Sequence, residues 1–450
     1  MTSTRIGRRA VVIGAGMAGL PAARALADHF ENVVMLERDT LPLDASQRAG
    51  TPQARHTHGL LGGGQRALGE LFPGFEQDLA AAGAVPVRIG LDLRLELPGF
   101  ERFPRRDLGV AAYAMSRPLI ELTVRERVKR HANITIREHS RALNIVAAPG
   151  GTAVSAVRFE NSEGSPETIS CDLVVEASGR GSLTLEFLRS IGQPQPEESV
   201  IGIDIGYATA VLPTPKDSPD DWTAVMTFDP PAQGGLAGIA LPLEGKRWIV
   251  TLVGRHGHKP PGDWDGFLSY AQQLRTPTIY DAIRHGGPLG ELARFGFPAS
   301  VRRHFDRLET FPRGLLPFGD AICRFNPIHG QGMSVAAQEA CLLRALLQRR
   351  AGETDPLDRL VPVFFAEAAA LIETPWSLAA IPDYAVPETE GERPEDLAQT
   401  LEFGAGLTRL AAVDEAVHKL WVEVLHLLKP QDVLREPEIV ERVKALAAQA

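Results

Sequence analysis

The sequence predicts an α/β chain with a Rossmann-like nucleotide-binding domain, an interleaved antiparallel-sheet domain and a helical C-terminal tail. Three observations predict it. An apolar strand, Arg9 to Ile13, passes through Gly14-Ala15-Gly16-Met17-Ala18-Gly19 into an alanine-rich helix, Met17 to His29, and a second apolar strand, Asn32 to Leu36, follows. From Ile201 the texture changes: Ile201, Ile203, Ile205 and Tyr207 alternate with Gly and Asp, which fits an antiparallel sheet with one face buried. From Val361 onward the chain is mostly helical, broken by a Pro- and Glu-rich segment from Pro382 to Glu395.

The remaining elements follow in order. Arg38 to Gly64 is polar and rich in Gly, Pro and His, the signature of a long functional loop. A helix is expected from Gln65 to Leu79, then a strand-like segment from Val85 to Leu97. Ser116-Arg117-Pro118 starts another helix, with proline in its first turn. Cys171 to Ala177 is an apolar run that returns to the nucleotide domain as a core strand. Trp222 to Phe228, Gly238 to Leu243 and Arg247 to Val253 extend the antiparallel sheet, and Asp263 caps a helix to Gln273. Leu315 to Phe318 is a strand, and Met333 to Arg350 a long helix. The expected grouping is 1–85 with 110–195 and 308–350 for nucleotide binding, 86–109 with 196–307 for the second sheet, and 351–450 for the helical region.

Composition narrows the function classes. A net charge of -9 over 450 residues provides no basic field, so nucleic acid is not expected as a partner. No run approaches the ~18 apolar residues that span a bilayer, so no transmembrane segment is expected. Met1 to Arg5 leads straight into a strand without a signal-peptide core. Cys171, Cys323 and Cys341 are too few and scattered for a disulfide framework or zinc site, which fits reduced thiols in the cytoplasm.

The chemistry lies in two glycine motifs. Gly14-x-Gly16-x-x-Gly19 follows a strand and opens a helix: Gly14 permits the turn, Gly16 lets backbone approach a pyrophosphate, and Gly19 lets helix and strand pack closely. Met17 and Ala18 carry N–H groups at the positive end of that helix. Glu37, ending the second strand with Arg38 beside it, is placed to accept adenosine ribose hydroxyls. This motif alone leaves NAD and FAD open. Far along the chain, Gly319-Asp320 ends an apolar strand and leads through Asn326-Pro327 to Gly330-Gln331-Gly332-Met333 at the mouth of a helix. That helix end suits the negative pyrimidine end of a reduced isoalloxazine, and Asp320 can accept a ribityl hydroxyl. The two motifs together point to FAD.

With these residues in hand, the chain resembles the FAD-dependent monooxygenases of the 4-hydroxybenzoate hydroxylase type of fold. Thr51 to Leu61, Ser116-Arg117-Pro118-Leu119, Ser178 to Ser182 and Gly319 to Met333 resemble the bacterial polyether epoxidases, and squalene epoxidase more distantly. The resemblance implies that Arg117 contacts the pyrophosphate or ribityl region, that Asp320 holds the ribityl chain, and that Pro327 and Gly330 to Met333 line the flavin. It implies insertion of one oxygen from O₂ into an apolar small molecule through a flavin C4a-hydroperoxide, as epoxidation or hydroxylation in secondary metabolism. Enzymes of this group usually carry Asp-Gly where this chain has Ser178-Gly179, so the electrons come either from transiently bound NAD(P)H or from a separate flavin reductase. Arg55, His56 and His58 are candidates for roles beside the flavin, and no metal is expected at the two histidines, because no third ligand is nearby. Two rivals share the fold: a flavin-dependent reductase of isoprenoid double bonds, and a flavin halogenase, whose Trp-x-Trp-x-Ile-Pro motif is absent here.

Overall fold

The computed structural model describes residues 5–215, 221–231 and 234–447; the expectation about Met1 to Thr4 lies outside them. Two large sheets organise the chain. A parallel five-stranded sheet has the order Leu315–Pro317, Leu173–Glu176, Gly7–Ile13, Phe30–Leu36, Ile134–Arg137. Its strands read as continuous apolar runs because both faces are covered. One face carries the helices Gly19–Ala27, Arg117–Lys129 and Gly332–Arg350, packed through Leu20, Ile120 and Leu343. The other is closed by a three-stranded sheet, where Ile145, Val157 and Phe159 meet Val11, Ile13 and Leu36.

The seven-stranded sheet has the order Cys323–Arg324, Ala293–Arg303, Glu198–Pro213, Arg247–Arg255, Ala237–Leu243, Ala224–Phe228, Leu93–Glu96. It is antiparallel except for its last pair, Ala224–Phe228 with Leu93–Glu96. In its centre, from Ala208 onward and on Ala237–Leu243 and Arg247–Arg255, both faces are buried, not the single face expected. Ala208, Ala210 and Leu212 pack outward under the helices Trp264–Ala271 and Thr278–Ile283. Ile203, Ile205 and Tyr207 pack inward with Ile328, Ala380 and Val422. Over Ile201 to Tyr207 the alternating residues include Asp204, half-exposed and paired with Lys259, and only from Ala208 is the second layer apolar, with alanine on it.

Four local expectations are corrected. Val85 to Leu97 is two strands, Val85–Arg88 and Leu93–Glu96, in different sheets, because the chain turns back where Leu91 and Asp92 N–H bond to Arg88 O. The helix expected over Gln65 to Leu79 is two helices, Gly62–Leu71 and Phe75–Ala81, interrupted at Pro73. Gly62-Gly63-Gly64 is helical, not loop: a Cβ on Gly64 would stand 2.5 Å from Ser334 Cα, so two helices cross there at backbone distance. Within the tail expected to be mostly helical, the apolar residues from Leu407 to Leu428 do not lie on one helix but on two, Leu397–Val413 and Glu415–Leu425, because Asp414 leaves helical geometry and caps the second by accepting from Val417 N.

The helix Leu360–Tyr384 runs through Pro375 and Pro382, further than the tail's break was expected to allow. It is the one helix among the described residues long and apolar enough to cross a membrane by length and composition. Phe364, Phe365, Ala368 and Ile372 on it are buried in the protein core.

Gly64→Ala tests the helix crossing. The new methyl meets backbone rather than a flexible side chain, so the variant is expected to lose about 1–3 kcal/mol of unfolding free energy by denaturant titration, whereas Gly69→Ala, with nothing within 4 Å, should not lose stability.

Candidate functional site: a cleft lined by two glycine motifs

The first glycine turn is formed by close approach. A Cβ at Gly19 would lie 1.9 Å from Gly14 O, so only glycine lets this helix meet this strand. Gly16 is different: beyond its neighbours, the nearest atom to a Cβ there is Arg48 Nη2 at 3.8 Å, and the backbone faces open space. Glu37 reaches back under the turn, with Oε2 accepting from Ala15 N at 2.9 Å and Oε1 from Asp39 N at 3.0 Å. Oε1 keeps a further lone pair for another donor, while Oε2 also faces Arg48.

Behind the turn is a buried ion network that sequence reasoning missed. Arg48 lies 3.3 Å from Glu37 Oε2, 2.8 Å from Asp39 Oδ2 and 2.8 Å from Glu121 Oε1. Glu121 Oε2 in turn lies 2.9 Å from Arg117, which opens the helix Arg117–Lys129. Burial pulls the Glu121 carboxyl up, but Arg117 and Arg48 outweigh it, so it stays ionised below the usual carboxylate range. Arg48 sits in an aperiodic loop, where no pattern separates a buried arginine from a solvated one. Arg38 is at the rim, its side chain 64% exposed and 3.9 Å from Asp39.

The second motif closes against the first. Gly319 has φ +62, and a Cβ on it would stand 2.8 Å from the Ala18 methyl. Its N–H donates to Glu339 Oε2 at 2.8 Å. Glu339 is fully buried on the helix Gly332–Arg350, and burial pushes its carboxyl up to about 8. This residue was also missed. Its signal was legible: Val335, Glu339 and Leu343 recur at helical spacing, so a carboxylate occupies a core position.

Asp320 follows directly. It keeps solvent-accessible surface, yet burial pushes its carboxyl to about 6 against the pull of Arg324 and Arg117. Both observations hold for a group that opens to solvent while protein crowds it from behind. Gly332 sits beside it, a Cβ there being 3.5 Å from Asp320 Oδ1. Pro327 is exposed, Gln331 is buried with Oε1 lacking a partner, and Gly330, Gly332 and Met333 are half-buried. Met17 is buried and Ala18 half-buried across the cleft.

The histidine loop joins the same place. Gly330 comes within 3.7 Å of the Gly59 backbone, measured from its Cβ position. His58 Nδ1 is held by His56 O at 2.9 Å, and burial, with Arg117 nearby, lowers its pKa to about 4. His56 is likewise lowered to about 4 by burial, with Arg55 adding to it. Its Nδ1 meets Thr209 Oγ1 at 2.7 Å, and Thr209 meets Thr251 Oγ1 at 2.7 Å on the neighbouring strand. Tyr207 and Phe295 flank the ring at 5.9 and 5.7 Å. Both histidines are neutral at pH 7. Arg55 is not brought into this group: it is exposed and bonds to Gln47. Ser178 turns its hydroxyl and N–H back onto the buried Glu176.

The parallel sheet, the fingerprint turn and a second glycine segment at the helix mouth define a dinucleotide-binding flavoprotein. The open backbone at Gly16, the cleft-facing Asp320 carboxylate and the unpartnered Gln331 Oε1 fit an FAD laid along the cleft. Residues 8–357 match the FAD binding domain family, and the chain belongs to it. It is 34% identical over 357 residues to Protein Rv3254 of Mycobacterium tuberculosis (strain ATCC 25618 / H37Rv), covering 76% of this chain and 73% of that protein. Among solved structures it is similar to a flavoprotein/dehydrogenase from Cytophaga hutchinsonii (TM-score 0.69, 14% identity, 98% and 99% of the two chains). It is also similar to the flavin-dependent brominase Bmp2 (0.68, 14%, 98% of each). The probable FAD-dependent monooxygenase pqsL of Pseudomonas aeruginosa is a third (0.62, 16%, 85% and 97%). At these identities the likeness establishes the fold alone.

Glu339 generates a pH signature in the apoprotein. Below about 4.5 it is protonated folded and unfolded; between there and about 8 only the unfolded state releases the proton, so stability falls as pH rises. Denaturant unfolding of Glu339→Gln should therefore gain on the wild type from pH 5 to pH 8, by on the order of 3–5 kcal/mol.

Proposed function

We propose that the protein is an FAD-dependent monooxygenase that inserts one oxygen from O₂ into an apolar small molecule in secondary metabolism, by epoxidation of an alkene or by hydroxylation. The observation that carries this reading is the cleft in which the fingerprint turn, the His56–His58 loop and the Gly319–Met333 segment meet, beside the apolar inner face of the large sheet. The likeness of Thr51–Leu61 and Gly319–Met333 to polyether epoxidases supports epoxidation.

In this reading Gly14, Gly16, Met17, Ala18 and Gly19 take the pyrophosphate, and Glu37 the adenosine ribose. Arg117 and Asp320 hold the ribityl arm, and Pro327 and Gly330 to Met333 line the flavin ring. Reduced FAD supplies the activation of O₂. The chain's own residues orient the substrate and keep water out: His56, neutral between Tyr207 and Phe295, offers a polar contact without a charge that would draw solvent. Ser178, where enzymes of this group usually carry Asp, bonds to Glu176, and the electrons come either from transiently bound NAD(P)H or from a separate flavin reductase. The setting is cytoplasmic.

The test is oxygen uptake by the purified yellow protein with NADPH, NADH or an added flavin reductase, over a panel of apolar alkenes and phenols. A product heavier by one oxygen is expected. A protein that purifies colourless and takes up no FAD sinks the reading. Turnover without O₂ would assign it instead to reduction of isoprenoid double bonds, and product formation that requires bromide or chloride would assign it to halogenation. Gly16→Val, which fills the open backbone face, is expected to leave the fold intact and lower FAD affinity by at least about tenfold in a fluorescence titration.

A further inference from the structure

The family match ends at residue 357, yet a residue well beyond it is tied into the second glycine segment. Asp383, near the end of the helix Leu360–Tyr384, has no exposed surface. Its Oδ1 accepts from Arg255 Nη1 at 2.8 Å and from Asn326 Nδ2 at 2.8 Å, and its Oδ2 lies 3.0 Å from the same amide. Asn326 is also fully buried, and its Oδ1 accepts from Ile328 N at 3.1 Å. One amide thus links the carboxylate to the short turn Pro327–His329, which leads directly into Gly330-Gln331-Gly332-Met333.

Three parts of the chain converge on this carboxylate: the helical tail through Asp383, the large sheet through Arg255, and the flavin segment through Asn326. A buried carboxylate without partners is strongly unfavourable, so its position is dictated by the guanidinium on one side and the amide on the other. Any displacement of Asp383 removes the anchor that orients the Asn326 amide, and the turn that amide caps must follow. Leu360–Tyr384 also supports the start of the same segment, where Phe364 stacks on Phe318 at 5.9 Å.

We propose that Asp383 is a positioning residue for the flavin, acting through Asn326 to hold the Pro327–Met333 turn against the isoalloxazine ring. The inference rests on the FAD placement proposed above. It assigns the C-terminal helix a part in the site.

The experiment compares Asn326→Ala, Asp383→Asn and Thr389→Val. Asn326→Ala leaves the Arg255–Asp383 ion pair in place and is expected to fold. Thr389 Oγ1 donates to the Asp383 backbone carbonyl, not to the carboxylate, so Thr389→Val perturbs the helix end without touching the anchor. Expected for Asn326→Ala is an FAD dissociation constant raised about tenfold, as for loss of one buried hydrogen bond, with an altered flavin visible spectrum and midpoint potential. Asp383→Asn should move the same readouts in the same direction, and Thr389→Val should change thermal stability only. If Asn326→Ala folds and keeps wild-type FAD affinity, spectrum and potential, the inference is overturned, whether or not Asp383→Asn folds. It is equally overturned if Thr389→Val shifts the flavin readouts as far as Asn326→Ala does. These measurements need no substrate. A wild type that binds FAD but yields no oxygenated product would refute the monooxygenase reading and leave this one standing.

Discussion

The approach of Gly319 to Ala18 is the contact on which the cleft depends. It joins two segments far apart in sequence across a gap that would be 2.8 Å from a Cβ to the Ala18 methyl, so no other residue type fits without moving one wall. Left-handed backbone at Gly319 also points its N–H inward, where it would be an unpaired buried donor. Glu339 supplies the acceptor, and because burial keeps that carboxyl largely protonated at neutral pH, the contact avoids the full cost of a buried charge. The strand end, the helix mouth and the fingerprint helix are thereby locked at one point, and Asp320 is held on the open side of it.

Charge around the cleft is arranged in opposed pairs. Arg48, Arg117 and Arg125 face Glu37, Asp39 and Glu121, all in the interior or close to it. Such a network has little surplus positive charge to offer an anion, so recognition of a pyrophosphate would fall to the free backbone N–H groups at Gly16 and the helix end behind them. The histidines behave consistently. Burial outweighs every attraction available to them, so His56 and His58 stay neutral and add no cation beside Arg117.

The sequence was most legible where the backbone itself carries the chemistry. Glycine spacing after an apolar strand identified the first turn, and the Gly319–Met333 segment announced a second turn at a helix mouth, because glycine requirements are local. Side chains that act across the fold were less legible. Arg48, Asn326 and Asp383 have partners on other elements, and no window of sequence contains both members of a pair. The two-layer burial of the large sheet's centre was missed because the alternation with Gly and Asp over Ile201 to Tyr207 does not continue: from Ala208 both faces are apolar, and helices pack closely against Ala208 and Ala210. The glycines at 62–64 misled in the opposite direction. They signal a loop by propensity, and tertiary packing against Ser334 and Leu427 overrides that preference.

The long helix Leu360–Tyr384 shows how far composition can diverge from role. Its length and apolarity would satisfy a bilayer, and nothing in its periodicity separates that from burial in protein. What separates them is the placement of its two ends. Phe364 stacks on Phe318 just before the Gly319 turn, and Asp383 grips Asn326 just before the Gly330–Met333 segment. One helix thus contacts both ends of the Gly319–Met333 segment, while the strand Cys323–Arg324 ties its middle to the large sheet. The buried aspartate that ends this apolar helix is accounted for by its partners, the Arg255 guanidinium on the large sheet and the Asn326 amide before the Pro327–His329 turn.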